Sequence, residues 1–194
     1  MAITSEQIKQ LRDQTGISVM QCKKSLEEAG GDMDKALIIL KKKRSEAADK
    51  KSDRELGAGA VGVYAHNTNE VAAMVLLACE TDFVAKNEEF TTLAREIAMH
   101  VAAQNPKYVS REQVTPEALE KAKEVFAEEV KDKPAEMQDK ILQGKLDSYF
   151  KDQILLEQPF IKNPETTIGE MVNGAVQKFG ENVTIAGVER LAVK

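Results

Sequence analysis

Nine consecutive residues without a charge, Val71–Cys79, constrain the fold more than any other stretch of this chain. Val71, Ala73, Val75, Leu77 and Cys79 alternate with Ala72, Met74, Leu76 and Ala78, so a strand over 71–80 is apolar on both faces. A strand covered on one side only would carry polar residues at every second position. This one predicts cover on both faces; in a small sheet one cover can be helices and the other a second subunit. The run is too short for a bilayer span, which takes about 20 residues. A partner strand, Ala60–His66, precedes it across the turn-favouring Asn67-Thr68-Asn69.

The surrounding sequence reads as helical. Within residues 1–44, Thr4 with Gln7 and Ser18 with Gln21 have capping-box spacing, and Gly16 and Gly30-Gly31 free the backbone between helices. Ile8 and Leu11, then Val19, Cys22 and Leu26, then Met33, Ala36, Leu37 and Leu40, give three short helices their apolar faces. So small a bundle is marginal alone and reads as an interaction module. Residues 45–58 are charged and glycine-ended, a solvated helix or tether. The basic run Lys41–Arg44 can touch phosphates, but a solvated linker end is the plainer reading.

Beyond the two strands, Phe90, Leu93, Ala94, Ile97, Ala98 and Val101 form an unbroken helical stripe that ends before Asn105-Pro106. Thr115-Pro116 opens a helix carrying Leu119, Ala122, Phe126 and Val130. Lys133-Pro134 is expected to break and restart it, and Gly144 to end it. A further helix is expected over 146–157 through Leu146, Tyr149, Phe150 and Ile154, followed by a turn between Pro159 and Pro164. The last helix starts at Thr167 with Glu170 as capping partner and stops at Gly180, and a strand over 183–193 closes the chain. The class is therefore α+β: a three-helix bundle (1–44), a charged linker (45–58) and a core (59–194) with a small antiparallel three-stranded sheet packed by helices.

Composition narrows the function. The 194 residues carry 27 Lys and Arg against 32 Asp and Glu, a formal charge of −5, with no Trp and 5% aromatics. Neither a general nucleic-acid binder nor a base-stacking platform is expected from such a chain. The N-terminal MAITSEQIKQ lacks the basic and apolar regions of a secretory signal, and Cys22 and Cys79 lack metal-ligand spacing. A reducing cytoplasm fits both observations. No phosphate loop of Walker or Rossmann spacing, no G-x-S-x-G and no H-E-x-x-H is present. His66 and His100 are isolated, and His100, on the polar flank of its helix, reads as a surface or hydrogen-bonded histidine rather than a ligand. Cys22 has Lys23 and Lys24 beside it, yet its place in an apolar stripe favours packing over reactivity.

One segment stands apart, Cys79-Glu80-Thr81-Asp82-Phe83-Val84-Ala85-Lys86-Asn87, between the buried strand and the long helix. Two readings are open. Asp82 can cap a helical turn while Phe83 tucks into the core beside Phe90. Alternatively, a Phe on a loop next to a carboxylate is how an exposed hot spot is built.

With its preceding Cys79-Glu80, TDFVAKN resembles the signature of the elongation factor Ts family, the nucleotide-exchange factors of elongation factor Tu. LRDQTG at 11–16 and CKKSLEEAGGD at 22–32 resemble the family's N-terminal signature. NPKYVSRE at 105–112, LLEQPFIK at 155–162 and GENV at 180–183 match later landmarks in the family's order. The chain departs from the family at Gln21, usually Asp, and Ser25, usually Ala. Leu76 and Ala78 also stand where Glu and Asn are common.

The resemblance implies a bundle of the ubiquitin-associated type that docks on the GTPase domain of elongation factor Tu, with Arg12, Val19 and Met20 as contacts. Packing or solvation is the alternative for these three. It implies that Thr81, Asp82, Phe83 and Val84 intrude near the partner's Mg²⁺ and dislodge GDP. It implies no catalytic residue for covalent chemistry, no cofactor and no metal of its own. The chain has room for one sheet-bearing subdomain where longer members have two, which implies a disulfide-free homodimer through the strands and helix 167–179. A cytoplasmic protein that binds neither membrane nor nucleic acid directly completes the expectation. Two other functions compete: an adaptor that binds without releasing nucleotide, and a nucleic-acid accessory using Lys41–Lys51. The net charge and the acidic helix 117–132 count against the second.

Overall fold

A computed structural model describes residues 3–131 and 134–193. It begins with α1 (Ser5–Thr15), α2 (Val19–Glu28) and α3 (Met33–Asp49). At the start of α1 both halves of the capping box form: the Gln7 amide donates to Thr4 Oγ1 at 3.2 Å, and the Thr4 amide to Gln7 Oε1 at 3.0 Å. Ser18 accepts the Gln21 amide at 3.4 Å, but its hydroxyl turns to Gln21 Oε1, so only half of the second box is made. Gly16 adopts φ 68° and ends α1 by donating to the Arg12 carbonyl. Leu11, Ile17, Cys22, Leu26, Ala36 and Leu40 form the bundle core, with Ile3, Ile8, Ala29, Met33 and Leu37 around them. Cys22 is thus a packing residue. Ser25 is also fully buried, and its hydroxyl has no hydrogen-bond partner among the described residues.

Helix α3 continues past residue 44 into the segment expected as linker. Its basic run is held rather than free. Lys41 pairs with Glu170 at 3.1 Å and Lys43 with Glu28 at 2.6 Å, while Arg44 donates to the Thr15 carbonyl at 3.3 Å and Gln177 Oε1 at 3.2 Å. Each ammonium or guanidinium that already has an acceptor is less available to a phosphate.

The antiparallel sheet has the order β1-β2-β5, from β1 (Ala58–Ala65), β2 (Val71–Cys79) and β5 (Val183–Ala192). Asn69, at φ 58°, makes the turn between β1 and β2. On β2, Ala73, Val75, Leu77 and Cys79 are buried, whereas Met74 and Leu76 are 46% and 41% exposed. The chain itself therefore covers one face of this strand and leaves Met74 and Leu76 on the other exposed, although Ala78 on that second face is buried. Helix α5 (Glu88–Gln104) presses closely on the covered side: a Cβ at Gly62 would lie 2.1 Å from the Ala94 carbonyl carbon, so only glycine fits there. Phe90, Ala94, Ile97, Ala98 and Val101 are all buried, as the stripe requires.

By internal contacts the chain divides into two units. One comprises Met1–Val61, Leu76–Leu93 and Glu170–Ala186, and the other Gly62–Val75, Ala94–Gly169 and Gly187–Lys194. In the second, α6 (Pro116–Val130) starts at a Thr115 cap that accepts the Ala118 amide at 3.2 Å. Helix α7 (Ala135–Lys151) runs through Gly144 without a break, contrary to the expected stop there and the separate helix over 146–157. A Cβ at Gly144 would meet nothing within 4 Å, so the glycine sits in an ordinary open helix position. Its cost of about 1 kcal/mol relative to alanine is offset by Leu142, Leu146 and Phe150, which pack with Leu119, Ala122 and Phe126. Residues 152–157 form a turn and a short 3-10 helix instead. Lys133 of the expected break lies outside the described residues. The turn between Pro159 and Pro164 belongs to a small hairpin, β3 (Pro159–Phe160) with β4 (Asn163–Thr167), followed by α8 (Ile168–Phe179) and Gly180 at φ 76°. No helix among the described residues is long and apolar enough to cross a membrane.

His100 is not on a polar flank but completely buried, so the hydrogen-bonded alternative is the one realised. Its Nε2 lies 2.9 Å from Gln158 Oε1, and the Ile161 amide donates to its Nδ1 at 3.4 Å. These partners assign the neutral ring, protonated at Nε2. Burial holds the imidazole below its ordinary 6.5, partly opposed by Gln158. A lowered native value means that the unfolded chain takes the proton first, so this contribution to stability is complete above about pH 6.5 and is lost as pH falls through the native value. Accordingly, between about pH 7.5 and 5.5 the thermal midpoint of the wild type should fall more steeply than that of His100→Gln, as followed by circular dichroism.

Candidate functional site

Strand β2 ends at buried Cys79, whose thiol donates to the Thr81 carbonyl at 3.2 Å and is pushed up chiefly by burial. Thr81 keeps an extended backbone and caps a single helical turn, α4 (Asp82–Ala85), by accepting the Val84 amide on Oγ1 at 3.5 Å. Thr81, not Asp82, is therefore the cap. Successive side chains on such a turn point about 100° apart. Val84 consequently faces inward at 4% exposure while Phe83 stands out at 83%. Phe90, the neighbour expected for a tucked Phe83, packs edge-on against Phe179 instead, with ring centroids 5.8 Å apart. Of the two readings of Phe83, the structure takes the exposed one.

Asp82 is also outside, 2.7 Å from Lys86 one turn on. The Lys86 hydrogen bond holds the Asp82 carboxyl below its usual range, and Asp82 raises the lysine in return. Asn87 Oδ1 then accepts the Glu89 amide at 2.9 Å, at the start of α5.

Two residues without an assigned role in the sequence reading fix this turn from the side. Glu181 accepts the amides of Glu80 and Thr81 on one carboxylate oxygen, at 3.1 and 3.0 Å, and the Thr81 hydroxyl on the other at 2.6 Å. The Asn182 amide donates to Glu80 Oε1 at 2.5 Å, and its side chain to the carbonyls of Ser52 and Arg54. That amide, with Arg54 at 3.3 Å, holds the Glu80 carboxyl low. The only signal in the sequence was the GENV segment, whose Gly180 marks a turn but not what the next side chains bind.

Arg12 is exposed on α1, and Val19 and Met20 are exposed on the first turn of α2 at 52% and 64%. Val19 thus does not contribute to the bundle's apolar face, and the packing alternative fails for both apolar residues. His66 is exposed too, with Nδ1 3.0 Å from the Tyr64 hydroxyl.

An outward-facing aromatic beside a carboxylate, on a turn held through Thr81, is the kind of feature from which protein–protein contacts are built. The family described as Elongation factor TS matches residues 49–194. Elongation factor Ts of Thermodesulfovibrio yellowstonii is 45% identical over 194 residues, all of this chain and 97% of that protein. Elongation factor Ts of Carboxydothermus hydrogenoformans is 45% identical over 94% of this chain and 85% of its own, and that of Thermosipho melanesiensis 43% over 98% of each. The chain belongs to the elongation factor Ts family and so stands among the elongation factors of protein synthesis.

An aromatic left in solvent contributes little to the stability of its own chain, and a buried one contributes much. In urea unfolding, Phe83→Ala should change stability by no more than about 0.5 kcal/mol, whereas Phe90→Ala should cost about 3–5 kcal/mol.

Proposed function

We propose that this protein releases GDP from elongation factor Tu by binding its GTPase domain and disturbing the site that holds Mg²⁺ and the nucleotide phosphates. The single observation that carries this reading is Phe83, 83% exposed on a turn fixed to the end of β2. GDP in such a GTPase is held by backbone amides, a lysine and a bridging Mg²⁺, so a wedge that shifts one of these elements weakens the rest. Burying Phe83 in the partner supplies about 2 kcal/mol. Asp82 competes for or reorients groups around the partner's ion, while Thr81 and Val84 keep the turn in shape.

The three-helix module, of the ubiquitin-associated type, docks on the GTPase domain through Arg12, Val19 and Met20. Exchange then follows from reciprocity: whatever factor this protein takes from the affinity for GDP, GDP takes from the affinity for this protein. GTP drives the factor off, and no covalent step, cofactor or bound metal is needed. The reading places the protein in the cytoplasm, without membrane or direct nucleic-acid contacts.

The protein works as a homodimer without disulfides, through its strands and helix α8. The exposure of Met74 and Leu76 on β2, and of Val61 and Val63 on β1, supports this. Light scattering after size exclusion should give twice the 21.4 kDa of one chain. A monomer at micromolar concentration refutes the dimer.

With elongation factor Tu loaded with fluorescent GDP, wild type should accelerate release strongly. Phe83→Ala should slow that release about thirtyfold, the equivalent of about 2 kcal/mol, and Asp82→Ala should slow it less. Binding without release would identify an adaptor. A Phe83→Ala rate equal to wild type would falsify the wedge.

A further inference from the structure

Glu80-Thr81 and Glu181-Asn182 are about a hundred residues apart in the chain and exchange carboxylates for amides. The Glu80 and Thr81 amides are the last donors before α4, where the strand ladder gives way to a turn. Glu181 takes both on one oxygen and the Thr81 hydroxyl on the other. That hydroxyl also accepts the Val84 amide. One side chain is therefore linked through Thr81 to the first turn of α4, and so to the direction in which Phe83 leaves the backbone. Phe83 itself is 83% exposed, so packing against the rest of the chain does little to hold it there.

Building on the exchange reading above, we propose that Glu181 is a positioning residue for nucleotide release, holding the α4 turn through Thr81 so that Phe83 meets the partner already oriented. The physical gain is preorganisation. A turn ordered before encounter does not lose its conformational freedom during it, and binding energy goes into displacing the partner's elements instead. Three donors converge on Glu181, which suits an ionised carboxylate because it only accepts. Glutamine has nearly the same shape but turns an amide group toward one of those donors.

Glu181→Gln therefore separates charge and acceptor geometry from bulk. At saturating protein, it should lower the maximal rate of fluorescent-GDP release from elongation factor Tu about tenfold, with the half-saturating concentration shifted less than about threefold. Thr81→Val, which deletes the shared hydroxyl at nearly constant shape, should act in the same direction, and circular dichroism should show both variants folded. The chain has no tryptophan, so Phe83→Trp supplies a single-site reporter of order. Adding Glu181→Gln to it should raise the amplitude of the sub-nanosecond anisotropy decay about twofold. Unchanged anisotropy, or a Glu181→Gln rate within about twofold of wild type while Phe83→Ala is slow, overturns the positioning role and leaves the exchange reading standing. A Phe83→Ala rate equal to wild type sinks the exchange reading, and the positioning role with it.

Discussion

What projects from the end of β2 depends on where two carboxylates find their hydrogen bonds. A strand that stops leaves amides without ladder partners, and a four-residue helical turn is too short to sustain itself. Glu181 meets the first problem by accepting the Glu80 and Thr81 amides, and helps with the second by orienting the threonine that caps α4. Glu80 returns the favour to Asn182, whose side chain reaches the carbonyls of Ser52 and Arg54. Segments distant in sequence are thereby tied at one point, and the turn is held by tertiary contacts as well as by its own cap.

The same economy governs β2 itself. Gly62 lets α5 approach at Ala94 to a distance that no other residue would allow, and of the stripe Phe90, Ala94, Ile97, Ala98 and Val101 are buried with Leu93 at its edge. Met74 and Leu76 face the other way and remain substantially in water. Their apolar character is unexplained by the folding of one chain, since a solvated strand face ordinarily carries polar side chains. It becomes intelligible once a second surface is considered, which is the physical content of the dimer proposed above.

Much of this was legible in residue order because period and punctuation are local properties. The stripe from Phe90 to Val101, the Thr4 capping box and the Gly16 and Gly180 stops each show in a short window. What failed was decided elsewhere in the chain. Gly144 looks like a helix stop, but the packing of Leu142, Leu146 and Phe150 against α6 overrides it. His100 looks polar-facing on its own helix until Gln158 and the Ile161 amide arrive from the β3–β4 region to satisfy it. That hairpin was missed because β3 is two residues long and begins with proline. At the site, TDFV could be picked out, but whether Phe83 turned inward could not, because that depends on Thr81 capping α4 and on Phe179 occupying the place beside Phe90. Glu181 was invisible for the same reason: its partners lie on a distant segment.

Phe83 and Asp82 share a turn yet differ in what binding can extract from them. Asp82 already has Lys86 at 2.7 Å, in a pair so exposed that salt and water screen it. Any new interaction of Asp82 must first be set against that existing one. Phe83 has no comparable interaction to surrender, and its ring is hydrated in the free chain. Removing it from water is therefore a gain realised only in a complex, and only differential interactions of that kind can shift a partner between states. On the exchange reading, the aromatic carries more of the coupling than the carboxylate beside it, and the clamp behind both ensures that the gain is not spent on ordering the turn.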